Sequence, residues 1–87
     1  MAIPDTFTES QAELILSLAE VSATDSCASA ERLLQEWTPA RFTESQAVCI
    51  REMLALEAWE LKATLVDAME PCALRLRLLA MGPQTGH

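Results

Sequence analysis

Three observations predict an all-α fold, a small four-helix bundle with a long third helix. The chain has only two Gly, four Pro and no Tyr, while the strong helix formers Ala, Leu and Glu abound. Apolar residues recur at three- and four-residue spacing along most of its length, the period of a helix with one side buried. The stretch FTESQA, which has the form of a helix start, occurs twice, at Phe7–Ala12 and Phe42–Ala47.

The first copy opens helix one. Thr8-Glu-Ser-Gln11 fits the capping box, in which the Thr hydroxyl accepts from the N–H of Gln11 and the Gln side chain returns to the N–H of Thr8. Phe7 stands at the staple position before the cap, and Glu9 complements the helix dipole. Leu14, Ile15, Leu18, Ala19 and Val21 continue at helical spacing, predicting a helix over about 8–21. The turn-forming run Ser22–Ser26 separates it from helix two, about 26–37, whose stripe is Cys27, Ala30, Leu33, Leu34 and Trp37. Thr38-Pro39 ends it, because a residue before proline avoids the helical region.

The second FTESQA opens helix three at Thr43, and no Gly or Pro follows until Pro71. The spacing predicts one helix over 43–70, roughly 27 residues and about 40 Å long, in a domain with a radius of gyration of about 12 Å. It carries two apolar stripes. One runs through Ala47, Ile50, Leu54, Leu61 and Leu65, the other through Cys49, Met53, Leu56, Trp59 and Val66. Pro71 suits the first turn of helix four, about 71–81, which takes in Leu74, Leu76, Leu78 and Leu79 before Gly82-Pro83. A flexible tail is expected over 82–87. Residues 1–87 thus make a single helical domain.

FTESQA does not signal a solenoid. C-terminal to the hexamer only Ile15/Ile50, Ala23/Ala58 and Ala28/Ala63 match at that offset, and two units fall short of the three a solenoid needs. It is a helix-starting device used twice.

Composition narrows function more by exclusion than by signature. The three cysteines, Cys27, Cys49 and Cys72, form no C-x-x-C and cannot all pair, which suits reduced thiols in a cytoplasmic protein. The acidic start MAIPDTFTE lacks the basic region of a signal peptide. No apolar run reaches membrane-spanning length, so no membrane association is expected. The lone His87 has no element to orient it, and no nucleophile–base pair, metal-ligand spacing or glycine-rich phosphate loop is present. Glu57 and Glu60 share a helix face but have no second carboxylate helix opposite. A non-enzyme with no catalytic residues, cofactor or metal is therefore expected. Core packing is the expected role of the cysteines; Cys72, near a helix start that can lower a thiol pKa, is the one worth a reactivity assay.

Net charge is −7, and it is unevenly spread. Residues 1–31 hold six acids and no Lys or Arg, while from Pro71 onward Arg75 and Arg77 are the only full charges. Glu9, Glu13 and Glu20 form a ridge along one face of helix one, suited to a protein partner with a basic surface. Met53, Leu56 and Trp59 on helix three suit a symmetric interface, so a homodimer is expected. These features predict a non-catalytic regulator, adaptor or inhibitor acting through an acidic face and an apolar helix surface. By analogy of charge and size only, inhibitors of nucleic-acid-handling complexes, of the anti-restriction and anti-CRISPR style, fit this description. The alternative is a helix-turn-helix transcription regulator dimerising through helix three. Its would-be reading positions, Asp25, Ser26, Ser29, Glu31 and Arg32, are poor phosphate ligands, so direct nucleic-acid binding is not expected.

Overall fold

Five helices, not four, build the computed structural model, which describes residues 6–81. They are α1 (Glu9–Thr24), α2 (Cys27–Trp37), α3 (Glu44–Leu54), α4 (Ala58–Ala68) and α5 (Ala73–Met81), with no strand among the described residues. The expected tail over 82–87 lies outside those residues. The radius of gyration is 12.4 Å.

Both capping boxes form as their sequences require. Gln11 N donates to Thr8 Oγ1 at 3.2 Å and Thr8 N to Gln11 Oε1 at 3.1 Å. The second box repeats this, with Gln46 N to Thr43 Oγ1 at 3.1 Å and Thr43 N to Gln46 Oε1 at 3.0 Å. Helix α1 runs three residues past its expected end. The Thr24 hydroxyl donates to Glu20 O at 2.8 Å, so a residue expected in the turn is tied back into the helix. Helix α2 starts on its Ser26 cap, which accepts from Ser29 N at 3.0 Å, and stops at extended Thr38.

The long third helix is corrected to two helices of 11 residues each. The break falls at Ala55–Glu57 without Gly or Pro. Ala55 N donates to Glu52 O at 3.2 Å and Leu56 N to Met53 O at 3.0 Å, a tightened last turn. Glu57 is then extended, at φ −64° and ψ 156°, and starts α4 without a side-chain cap bond. Burial explains the break. A straight helix would carry its two apolar stripes away from a core this small, whereas the fold-back brings Ile50, Met53 and Leu54 of α3 and Leu61 and Leu65 of α4 into one cluster. Propensity is a weak prior that such burial readily overrides.

The two FTESQA copies meet in the folded chain. Gln11 Nε2 donates to Gln46 Oε1 at 3.1 Å, and Gln46 Nε2 donates back to Gln11 Oε1 at 3.3 Å. Gln11 Nε2 also reaches Arg41 O at 2.8 Å. Each carboxamide oxygen thus accepts both from its own cap backbone and from the other copy. Gln46 is the one buried polar side chain among the described residues, and no buried side-chain N or O there is left without a partner. Its desolvation is thereby offset.

The two staple phenylalanines are buried beside this pair. Phe42 packs against Trp37 with ring centroids 6.5 Å apart. Phe7 also ties the chain's front to its back, as Phe7 N donates to Ala68 O at 2.8 Å and Glu70 N to Phe7 O at 3.0 Å. This isolated bridge holds the α4–α5 link. The Arg75 guanidinium then donates to Val66 O at 3.0 Å, closing a carbonyl at the end of α4 with a cation from α5.

Candidate functional site

The fold presents α1 with one wall in the core and the opposite one bare. Ala12, Ile15 and Leu18 are fully buried, while Glu13 and Glu20 are exposed and Glu9 is half-buried at the first turn. At about 100° per residue, positions 9, 13 and 20 fall within a narrow arc. Ser17, beside them, spends its hydroxyl on Glu13 O at 3.2 Å. Helix α1 contains no Lys or Arg, so nothing within it offsets these charges. The like-charge pair Glu9/Glu13 costs a few tenths of a kcal/mol.

The other sequence-predicted set is dispersed. Met53 is in the core at 2% exposure, Leu56 lies in the α3–α4 link, and Trp59 stands on the first turn of α4 at 55% exposure. The face that would unite them required the unbroken helix. Trp59 instead joins α5: with Ala63, Val66 and Leu79 it lines an open groove between the two helices. A second groove lies between α1, α4 and α5, and Glu20 is on its wall. The acidic ridge and the apolar surface therefore adjoin at Glu20. Periodicity missed this because it assigned Trp59 to the wrong helix and treated α5 only as a closing element. The legible signal was leucine on both sides of 74–79.

The remaining sequence candidates are scattered over the fold. Ser26, Ser29 and Asp25 bond one another at the start of α2, with Ser29 Oγ donating to Asp25 Oδ2 at 2.6 Å and Ser26 Oγ to Ser29 Oγ at 3.1 Å. Cys27, expected on the apolar stripe, is exposed there, because the first residue of α2 lies beyond the core reached by Ala30 and Leu34. Cys49 is buried, and Cys72 is half-buried against the core. Glu57 is exposed and Glu60 partly so. His87 lies outside the described residues. Among the described residues no group of three or more His, Cys, Asp or Glu is placed to hold a metal ion, and no helix is long and apolar enough to cross a membrane. No protein-family model matches the chain, and no curated protein or solved structure is significantly similar to it.

Proposed function

We propose that the chain is a non-catalytic protein-binding module, an adaptor or inhibitor that engages a basic partner surface through Glu9, Glu13 and Glu20. The observation that carries this is the carboxylate face of α1, which no Lys or Arg of that helix offsets, backed by a fully buried wall that holds it in register. A rigid helix with fixed like charges steers association and sets orientation more than it adds affinity. A groove on a nucleic-acid-handling complex, lined with Lys and Arg, is the kind of target that such a face would occupy. The fit is one of charge and size.

Charge reversal tests it. Changing Glu9, Glu13 and Glu20 to Lys is expected to abolish capture of the principal partner from the native host. The wild-type association rate should fall steeply between low and physiological salt. Undiminished capture by the reversed variant overturns the proposal. Salt-sensitive retention of wild type on DNA, lost on Arg32→Ala or Arg41→Ala, would replace it with direct DNA binding.

A further inference from the structure

Helix α5 is apolar on two sides. Leu74 and Leu78 enter the core, while Leu76 and Leu79 face outward with 68% and 51% of their surface exposed. A helix of this kind needs two covering surfaces, and the described residues provide one, from α4 and α1. Leu79 lines the α4–α5 groove together with exposed Trp59, a groove of about 410 Å³. The α1–α4–α5 groove, about 510 Å³, shares Ala58, Lys62 and Leu78 with it, so the two form one continuous surface.

Charge indicates the occupant. At −7 the chain as a whole repels its own copies. The grooves differ, being bounded by Glu20 and Asp67 on one side of the balance and by Lys62 and Arg77 on the other. Two charges of each sign cancel there. In a closed two-fold dimer, residue i meets residue j of the other subunit and j meets i. A neutral patch bearing both signs complements itself in that arrangement, whereas a partner of uniform sign would meet as much repulsion as attraction. A tryptophan flanked by leucines, ringed by polar side chains, also has the composition of an interface centre.

We propose that the α4–α5 surface binds a second copy of this chain in a two-fold dimer. Trp59, Leu76 and Leu79 form its apolar centre, and Glu20 and Arg77, which line the α1–α4–α5 groove of each chain, belong to its charged rim. The inference shares Glu20 with the acidic-ridge proposal and is otherwise independent of it. Glu9 and Glu13 are not among the residues lining the grooves, so the dimer would still present a Glu9–Glu13 pair from each subunit to a target.

Sedimentation of the full chain tests it. Wild type is expected at twice its 9.5 kDa mass. Leu79→Glu and Leu76→Glu, at already exposed positions, are each expected to weaken the dimer by at least about tenfold with unchanged helicity. Val48→Glu, on exposed α3 surface, should leave it intact. Glu20→Arg and Arg77→Glu, both at the rim, should each weaken association with unchanged helicity. A wild-type chain that stays monomeric to about 1 mM, the weak end of specific association, overturns the dimer. So does a dimer indifferent to the leucine changes or weakened equally by Val48→Glu. Loss of partner capture with the dimer preserved in Glu9→Lys/Glu13→Lys would leave this inference standing and bear on the ridge alone.

Discussion

Replacing Phe7 with alanine is expected to cost about 3–5 kcal/mol of folding free energy. The ring is fully buried, and its removal leaves a cavity where the start of α1 meets the α4–α5 link. A domain of this length has about 4–13 kcal/mol in total, so the variant should sit at the edge of unfolding. Urea titration followed by circular dichroism measures the loss directly. The backbone bonds from Phe7 to Ala68 and Glu70 do not depend on the ring's chemistry, so Phe7→Leu should recover most of the stability. A loss below about 0.5 kcal/mol for Phe7→Ala, the range of ordinary surface changes, would show that the bridge holds without its anchor. Phe42→Ala is expected to behave similarly, since Phe42 is equally enclosed.

The glutamine pair is the second large effect. Gln46→Leu, close to isosteric, is expected to destabilise the fold. It removes the acceptor for Thr43 N and both carboxamide bonds to Gln11, whose Oε1 and Nε2 keep Thr8 N and Arg41 O as partners, so the loss centres on the unsatisfied cap N–H, at about 1–3 kcal/mol. Gln11→Leu should cost less, because Gln11 is the more exposed of the two. The double variant should then be more stable than the sum of the single losses predicts, by about 1 kcal/mol or more, as for groups in one hydrogen-bond network. Strict additivity would mean that the two boxes act as separate caps that merely lie close together.

That pair also marks what one-dimensional information could reach. The all-helical class, both capping boxes, the Ser26 cap and the stop before Pro39 were all legible, because each depends on residues within one or two turns of one another. The ridge on α1 was legible for the same reason. Its neighbourhood was not: Glu20 belongs to a groove wall formed with α4 and α5, and no spacing rule links position 20 to positions 62 and 77. Met53, Leu56 and Trp59 show the converse error. Their spacing matches one helical face, but a shared face presumes a shared helix.

Where α3 gives way to α4 is the clearest case. Ala55, Leu56 and Glu57 contain nothing that stops a helix locally, and Ala and Leu favour continuing it. Only the requirement that Ile50, Met53, Leu61 and Leu65 reach one core makes the break favourable, and that requirement is non-local. The identities and caps of the helices therefore follow from the sequence, whose hydrogen-bonding and periodic signals act over a few residues. How many helices there are, which apolar sides remain uncovered, and that the two FTESQA copies clasp each other were decided by the tertiary structure. Burying apolar surface and satisfying Gln46 away from water are properties of the whole chain's packing.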